Sequence, residues 1–366
     1  MAGINKSGVF REKISPFLQQ KLAELKEIKG ENSEEYRALM LQYVRQEVED
    51  QEENESNKRH WEADLVVEDN QVPGAERLYN KTAVLEPTMV CAAHCRYCLR
   101  ANYEIFTLDE EELIKIARFC GSGDVGQTVN EVLVTGGDPL VLPNRLNFLI
   151  EKLIEYAPNI RIMRIASRLP LHNPLRIDNN VYEIFRKHKD KVRIELATQI
   201  NHPVDLFQET IEVFKNFRDM GIPIYSQNVL LKGVNDNIDT LTSLYLALRD
   251  IGIEAHYLFH CVPMRGMHHF RTTVAKGLRL AKELTNGGLI SGRAKPMYAL
   301  MTDIGKITLY DGTILEKDEK RNMILVQSAY TYESRIKNNP GWKLPGTAEI
   351  DKNGYLRMWY LDGTDE

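Results

Sequence analysis

The stretch that decides the fold and the chemistry of this chain is Cys91-Ala-Ala-His-Cys95-Arg-Tyr-Cys98, in which three cysteines follow a CxxxCxxC spacing. Cysteine thiolates bind iron–sulfur clusters, and three thiolates this close together can bind three irons of a [4Fe–4S] cluster. Because no fourth cysteine lies nearby in the sequence, the remaining iron would stay open to chelate a small molecule. We expect His94 and Tyr97 to pack or hydrogen-bond around the cluster rather than to ligate it.

Zinc and disulfide bonds are the alternative uses of these thiols. Structural zinc usually takes four ligands, often as two CxxC pairs, whereas here one triplet is accompanied only by the distant Cys120 and Cys261. A disulfide framework is not expected, because five cysteines among 366 residues are few and odd in number and nothing at the start of the chain resembles a secretory signal. A zinc site or plain buried thiols remain the alternatives to the cluster.

The composition restricts the classes of function. The chain has 366 residues, 43% of them hydrophobic, which suffices for a large core. Its formal net charge is −5, from 47 basic and 52 acidic side chains, so it carries no electrostatic signature of nucleic-acid binding. It contains no apolar run of about 18 residues, so we expect no membrane span. An oxygen-sensitive cluster would require a reducing compartment, and we therefore expect the cytoplasm.

Hydrophobic spacing divides the chain into three predicted regions: 1–80, 81–300 and 301–366. In the first, Ser15–Ile28 and Ser33–Val48 have helical spacing. We interpret this region as a helical N-terminal extension that packs on the core or joins subunits, so a homo-oligomer remains open. The acidic run Glu47–Glu55 is interpreted as solvated surface.

Strands and helices alternate in the central region. The predicted strands are Thr82–Val90, Glu131–Thr135, Ile160–Ala166, Val192–Thr198, Ile222–Leu231 and Glu254–His260. The predicted helices are Leu108–Cys120, Leu146–Tyr156, Asn180–Lys189, Asp205–Met220 and Thr240–Ile251. Such alternation indicates βαβ units and a parallel sheet, and six units predict an α/β fold with a partial (β/α)6 TIM-like barrel.

The polar motifs of the core all follow predicted strands. In order along the chain they are the cysteine loop, Thr135–Pro139, Ser167-Arg168, Gln199–Pro203, Gly233–Asp236 and Cys261. In parallel sheets the functional residues come from loops at the C-terminal ends of the strands, so we expect these motifs to share one face. Gly136 and Gly137 lack a Cβ and would let the backbone approach a ligand closely, although an ordinary strand-to-helix turn explains them as well.

The last region carries hairpin signals. They are Tyr310-Asp-Gly312, Lys352-Asn-Gly354 and Leu361-Asp-Gly363, each flanked by β-forming residues. We therefore predict a small β-rich C-terminal segment.

The cysteine spacing and the other motifs together resemble the radical SAM superfamily and, within it, the lysine 2,3-aminomutase family. The resemblance covers roughly Val72 to Lys306. The matching stretches are Val72-Pro-Gly74, Cys95-Arg-Tyr-Cys98-Leu-Arg100, Gly136-Gly-Asp138, Ser167-Arg168, Asn201-His-Pro203, Gln227-Asn-Val-Leu-Leu-Lys-Gly-Val-Asn-Asp236 and His269-Phe-Arg-Thr-Thr-Val-Ala-Lys-Gly277. The resemblance implies that the open iron binds S-adenosylmethionine (SAM). Gly136, Gly137 and Asp138 match the "GGE" element that meets the methionyl amine of SAM, with aspartate in place of glutamate, and Gln227 matches a position near SAM.

The same family uses pyridoxal phosphate, and its Schiff-base lysine ends a glycine-rich loop after a Pro-x-aromatic strand. Here Pro296-Met-Tyr298 is followed by Ala-Leu-Met-Thr-Asp-Ile-Gly-Lys306. The resemblance therefore makes Lys306 the candidate catalytic and cofactor-binding lysine; an ordinary surface lysine is the alternative. The loop is shorter than in the family, and Thr302-Asp303-Ile304 replaces several glycines.

Substrate recognition is where the sequence matches the family least. Arg100 matches the family arginine that pairs with the substrate α-carboxylate, a role that suits a bidentate guanidinium. Lysine-acting members carry an acid directly after the cysteine that is Cys261 here, but this chain has Val262, and the second acid aligns with Met301 or, with a gap, with Asp303. Free lysine is therefore not the expected substrate. Arg265, His268 and His269 could recognise an acidic or polar side chain, or could belong to a surface loop.

The resemblance implies an isomerase, a radical SAM 2,3-aminomutase that moves an amino group of an amino acid from Cα to Cβ. It also implies a reductant such as flavodoxin or ferredoxin as an electron donor. The departure at Thr302–Ile304 leaves open an alternative, a radical SAM enzyme without pyridoxal phosphate that acts on another small molecule. A structural metal-binding protein is the hypothesis outside the enzymes.

Overall fold

The computed structural model of the protein describes residues 11–51, 65–67, 70–77, 79–101, 105–264, 266–286, 288–309 and 313–365. The predicted turn at Tyr310–Gly312 and the candidate Arg265 lie outside these residues. Within them, no helix is both long enough and apolar enough to cross a lipid bilayer.

Helices form between residues 16 and 51, which confirms the predicted helical extension over that part of the chain. Its helices are α1 (Pro16–Lys29), α2 (Glu34–Tyr43) and α3 (Val48–Gln51). The side-chain oxygens of Ser15 and Ser33 accept backbone N–H groups at the starts of α1 and α2, which satisfies donors that the helices cannot pair internally.

Two expectations for this region were wrong. The second helix does not reach Val48, because Val44 leaves the helical backbone with φ −90° and ψ 129°. The acidic run is not all solvated surface, because Glu49 is only 9% exposed. Its carboxylate accepts hydrogen bonds from Arg96, a fully buried arginine of the cysteine loop that requires a counter-charge.

A nine-stranded sheet forms the core of the protein. Along the chain its strands are β3 (Ala75–Glu76), β4 (Thr82–Thr88), β5 (Glu131–Gly136), β6 (Ile162–Ala166), β7 (Arg193–Thr198), β8 (Ile224–Leu230), β9 (Glu254–His260), β10 (Met297–Thr302) and β11 (Gly305–Thr308). They follow one another across the sheet in chain order, preceded in the sequence by a hairpin of β1 (Leu65–Val67) and β2 (Asn70–Val72). Strands β4 to β10 are parallel, and the edge strands β3 and β11 are antiparallel.

Helices connect these strands and cover one face of the sheet. They are α4 (Glu110–Gly121), α5 (Gly123–Thr128), α6 (Pro143–Tyr156), α7 (Leu169–His172), α8 (Asn179–His188), α9 (Gln208–Asp219), α10 (Ile238–Asp250) and α11 (Val274–Asn286). The sheet residues that alternate toward the helices are apolar and at most 2% exposed, namely Val132, Val134, Met163, Ile165, Ile194 and Leu196. The sheet curls into a half-barrel, which confirms the predicted partial TIM-like barrel and adds β10 as a seventh parallel strand.

The C-terminal region forms a separate antiparallel sheet, which confirms the β-rich prediction. Its order is β12 (Ile314–Asp318), β13 (Met323–Thr331), β15 (Tyr355–Leu361) and β14 (Ala348–Ile350), with α12 (Tyr332–Asn338) after β13. The predicted turn at Lys352–Gly354 joins β14 to β15.

The predicted hairpin at Leu361–Gly363 is wrong, because β15 ends at Leu361 and no strand follows it in the described residues. Instead the Asp362 carboxylate is buried and accepts the backbone N–H of Val274, at the start of α11. The domain boundaries at 80 and 300 stay predictions, and the edge strands β3 and β11, which lie just outside them, both pair into the main sheet.

Candidate active site

The three cysteines lie on the loop that follows β4, at the C-terminal end of the barrel. Cys95 is buried, Cys91 and Cys98 are half-buried, and all three are free thiols. Burial, Asp138 and the two other cysteines raise the pKa of Cys91, and burial followed by Cys95 raises the pKa of Cys98 to about 11. The three sulfurs are therefore close enough to interact electrostatically, and metal ions would be needed to hold them as thiolates.

The donor set fits an iron–sulfur cluster. Among the residues described, no three histidine, cysteine or carboxylate side chains converge on a point where they could hold a single metal ion. A [4Fe–4S] cluster differs in that each thiolate binds its own iron. Three thiols on one loop supply three ligands and leave one iron for another molecule, as the spacing predicts.

A half-buried arginine contacts the central cysteine. The Arg168 side chain donates to the sulfur of Cys95 at 2.6 Å and to the carbonyl of Gln199 at 2.9 Å. Its guanidinium lies between the rings of Tyr43 and Tyr97, 5.4 and 5.5 Å from their centres. Arg168 thus brings a cation against the cysteine loop. From the sequence, Arg168 was singled out only as a member of the Ser167-Arg168 motif.

The two glycines after β5 let the strand end pack against the cysteine loop. Gly136 has φ +104°, and a Cβ there would collide with the carbonyl oxygen of Thr88. A Cβ on Gly137 would lie 2.5 Å from the carbonyl oxygen of Val90, one residue before Cys91. The backbone N–H groups of Gly137 and Asp138 donate to carbonyls of the same segment. Close approach of backbone to backbone therefore requires glycine at both positions.

Asp138 joins the ends of two neighbouring strands. Its carboxylate is 2% exposed and accepts the hydroxyl of Ser167 and the backbone N–H groups of Leu140 and Arg168, at 2.8–3.0 Å. Burial raises the pKa of Asp138 to about 6, and these hydrogen bonds oppose the rise. Since its charge also affects Cys91, the structure brings the predicted Gly136–Asp138 element and the cysteines together.

Arg100 lies past the last cysteine and is paired within the protein. Its Nε donates to the carboxylate of Glu86 on β4, and both side chains are largely buried. A guanidinium has five N–H donors, so it can bind Glu86 and a substrate carboxylate at the same time.

A second group of polar residues lines the barrel interior. Lys306, on β11, donates to the hydroxyl of Tyr257 at 2.6 Å, and its ammonium lies 4.0 Å from the Tyr257 ring centre and 5.2 Å from that of Tyr79. Burial and the charge of Arg164 lower the pKa of Lys306 to about 8, partly offset by Glu131. A lysine whose pKa is lowered in this way is a better nucleophile near neutral pH.

Gln227 belongs to the same group. Its amide lies 3.4 Å from Nδ1 of His256, and burial, Arg164 and Lys306 lower the pKa of His256 to about 4. His256, Tyr257 and Tyr79 were not among the site residues predicted from the sequence. The aromatic pair on β9 was the available signal, but its side chains could equally have faced the helices.

Two positions aligned with the acids of lysine-acting members, Val262 and Met301, lie in apolar surroundings. Val262 is 6% exposed and belongs, with the partly buried Met301, to an apolar cluster that also contains Cys98 and Leu99. Asp303 lies in the two-residue turn between β10 and β11. His268 and His269 are half-buried in a short 3-10 helix.

Comparison with known proteins is consistent with this site. The family model of the radical SAM superfamily matches residues 85–244. A provisionally named L-lysine 2,3-aminomutase of Aquifex aeolicus is 34% identical over 67% of this chain and 65% of its own length. The L-lysine 2,3-aminomutase of Clostridium subterminale is 31% identical over 63% of this chain and 55% of its own length. The chain thus spans between half and two thirds of these relatives.

Among solved structures, a radical SAM methyltransferase from Sphaerobacter thermophilus aligns with 61% of this chain and 67% of its own, with 17% identity and a TM-score of 0.45. The family assignment depends on the sequence matches and on the cysteine loop at the end of β4. The chain belongs to the radical SAM superfamily and is a member of its lysine 2,3-aminomutase-like family.

Proposed function

We propose that this protein is a radical SAM amino-acid 2,3-aminomutase that carries pyridoxal phosphate on Lys306 and acts on an amino acid other than free lysine. The observation that carries the proposal is the position of Lys306. It lies on a barrel strand, faces the interior, contacts two tyrosines, and has a pKa lowered to about 8. The curated relatives support the reaction class, because they are named for it.

The proposed cofactor-binding residues lie at two places in the barrel. Cys91, Cys95 and Cys98 would hold the cluster, and the Gly136–Asp138 element beside them would meet SAM, with Gln227 nearby. When bound, the cluster and SAM supply a radical that removes hydrogen from the substrate, and pyridoxal phosphate holds the migrating amino group. The work of the protein is to place these groups and to exclude water, since the cofactors supply the difficult chemistry.

The protein would bind the substrate through its α-carboxylate and would recognise its side chain with an apolar surface. Arg100 is the candidate for the α-carboxylate, because a guanidinium binds carboxylates bidentately. Val262 and Met301 offer no charge to a side-chain ammonium, and a buried ammonium without a partner is strongly disfavoured. This supports a substrate other than lysine.

The covalent attachment is tested first. Protein reconstituted with pyridoxal phosphate is reduced with borohydride, digested and mapped by mass spectrometry. We expect a pyridoxyl adduct on the peptide that contains Lys306, absent from Lys306→Ala and retained in Lys295→Ala, which changes an exposed lysine. An adduct elsewhere, or none, contradicts the role of Lys306.

Activity is tested by anaerobic incubation of reconstituted enzyme with SAM, a reductant and a panel of amino acids, with detection of β-amino products. Isomerisation of an amino acid other than lysine is the expected result. The tight turn at Thr302–Gly305, where the family has a glycine-rich loop, favours one alternative: a radical SAM enzyme without pyridoxal phosphate. Cleavage of SAM without isomerisation, together with a missing Lys306 adduct, would establish that alternative.

A further inference from the structure

The C-terminal region contributes a buried arginine to the aromatic surroundings of Lys306. Arg335, on α12, is 6% exposed, and its Nε is buried without a hydrogen-bond partner. In the described part of the chain its guanidinium forms no ion pair. Glu76 is close enough to affect its pKa without pairing with it, and burial, the larger effect, lowers that pKa. An uncompensated buried cation is unfavourable, so its presence requires an explanation.

Aromatic rings provide only part of the compensation. The guanidinium carbon of Arg335 lies 4.9 Å from the ring centre of Trp342 and 5.7 Å from that of Tyr330. Ring faces attract a cation, but they do not accept hydrogen bonds from the N–H groups at the guanidinium edge as an oxyanion does. An anion with several acceptor oxygens would provide the hydrogen-bond acceptors that the aromatic rings do not.

Two sets of contacts connect Arg335 with the surroundings of Lys306 through aromatic side chains. Tyr330 packs against Gly305, where a Cβ would lie 2.8 Å from the tyrosine Cε2, and Gly305 directly precedes Lys306. Tyr79 lies 5.2 Å from the Lys306 ammonium, and the charge of Arg335 lowers the pKa of Tyr79 against the effect of burial. Arg335 and Lys306 therefore border the same group of aromatic side chains.

The other arginine near Lys306 is already neutralised. Arg164 forms ion pairs with Glu131 at 2.5 Å and with Glu195 at 3.5 Å. A dianion placed there would face two carboxylates. Arg335 is therefore the better-suited cation for an anionic ligand that approaches Lys306.

We propose that Arg335 binds the phosphate group of pyridoxal phosphate while Lys306 holds its aldehyde end. The inference rests on the proposed function and adds a phosphate-binding residue from the C-terminal region. The guanidinium matches two phosphate oxygens in a fork geometry, and Tyr79 and Tyr330 are the aromatic side chains beside which the pyridine ring would pack.

The test compares two ligands that differ only in the phosphate. Binding of pyridoxal phosphate and of pyridoxal to the cluster-free protein is measured by quenching of intrinsic fluorescence. We expect Arg335→Met to weaken pyridoxal phosphate about 10- to 100-fold, the range for a charge-assisted hydrogen bond, and to leave pyridoxal within about twofold. Arg335→Lys should retain part of the affinity.

The control is Arg321→Met, which removes another arginine of the C-terminal region. The guanidinium carbon of Arg321 lies 4.7 Å from the ring centre of Trp359. Arg321 pairs with Asp318 and is exposed, so this variant should bind both ligands as the wild type does.

A second readout separates ligand binding from a structural role. Removing an unpaired buried charge should leave the melting temperature of the ligand-free protein unchanged or higher. Inorganic phosphate should raise the melting temperature of the wild type and of Arg321→Met, but not that of Arg335→Met. A structural arginine would instead lower the melting temperature and weaken both ligands alike.

Two outcomes overturn the proposal: equal affinities of wild type and Arg335→Met for pyridoxal phosphate, or equal losses for both ligands. The proposed function can fail separately. If the wild type gives no adduct on Lys306 but phosphate still stabilises it through Arg335, an anion site exists and the assignment of its ligand is wrong.

Discussion

Lys306 illustrates how burial alters the chemistry of a single residue. With its pKa lowered to about 8, about a tenth of its amine is neutral at pH 7 and most of it at pH 9. Only the neutral amine attacks an aldehyde. We therefore expect the rate of borohydride-trapped pyridoxyl attachment to Lys306 to rise between about pH 7 and 9 and then to level off. An exposed lysine such as Lys295 would still be rising at pH 9, and the same profile at both residues would contradict this prediction.

Gly137 shows how one missing Cβ shapes the site. A side chain there would overlap the backbone of Met89 and Val90. Gly137→Ala should therefore lower the free energy of unfolding by about 1–3 kcal/mol, the usual effect of overpacking, and reduce the iron bound per chain. Urea denaturation and iron analysis measure both.

Gly346→Ala is the matched control for Gly137→Ala. At Gly346 a Cβ meets no atom within 4 Å, so its stability and iron content should match the wild type. Unchanged iron in Gly137→Ala would show that the strand end and the cysteine loop can separate without effect on the cluster.

At the scale of elements, the N-terminal helices help to hold the cysteine loop. The backbone N–H of Arg96 donates to the carbonyl of Gln42 on α2. The Gln42 side chain is fully buried, donates to Asp205 and accepts the hydroxyl of Tyr97. Together with the Arg96–Glu49 pair, these contacts explain why a polar, charged N-terminal region packs against the barrel.

We expect Glu49→Ala to destabilise the protein by about 3–5 kcal/mol, because it leaves Arg96 charged, buried and without its carboxylate. Chemical denaturation provides the measurement. Glu31→Ala serves as the control, since the Glu31–Lys26 pair is exposed and exposed pairs contribute little to stability. Similar losses in both variants would show that Arg96 finds another partner.

At the scale of the whole molecule, one arginine connects the barrel to the end of the C-terminal sheet. Arg271 is 1% exposed and donates to the carbonyls of Cys261, after β9, and of Leu361 and Asp362, at the end of β15. Arg271→Met should lower the free energy of unfolding by about 2–4 kcal/mol, because it leaves three carbonyls without donors.

Arg321→Met is again the control for Arg271→Met, and its stability should be nearly unchanged. If Arg271→Met unfolds in two separate transitions, the arginine couples the barrel and the C-terminal sheet. If it unfolds in one transition at the wild-type midpoint, the contacts of Arg271 do not contribute measurably.

The sequence predicted the repeated strand and helix units of the barrel, but not the features that depend on contacts between residues distant in the chain. The six barrel strands were found within about two residues because each contains a short run rich in apolar residues that is bounded by polar segments. The loops after them fell at one end because that follows from topology. By contrast, the burial of Glu49 and the end of β15 at Leu361 depend on Arg96 and Arg271. Those partners are distant in sequence, so no local pattern could indicate them.

The candidate site, like the fold, was predicted only in part from the sequence. Cysteine spacing identified one group, whereas Tyr79 contacts Lys306 only because the two edges of the curled sheet approach each other. Local periodicity does not encode that approach.

The two-residue turn at Asp303-Ile304 has a consequence for how ligands reach the lysine. Lys306 pairs with Met301 across a hydrogen-bonded ladder, so its backbone cannot swing as a flexible loop could. Any movement of the amine must come from rotations about the bonds of the four side-chain methylenes of Lys306. A molecule that exchanges on the Lys306 nitrogen must therefore approach a nearly fixed atom. Movements elsewhere in the protein would then set the rate of turnover.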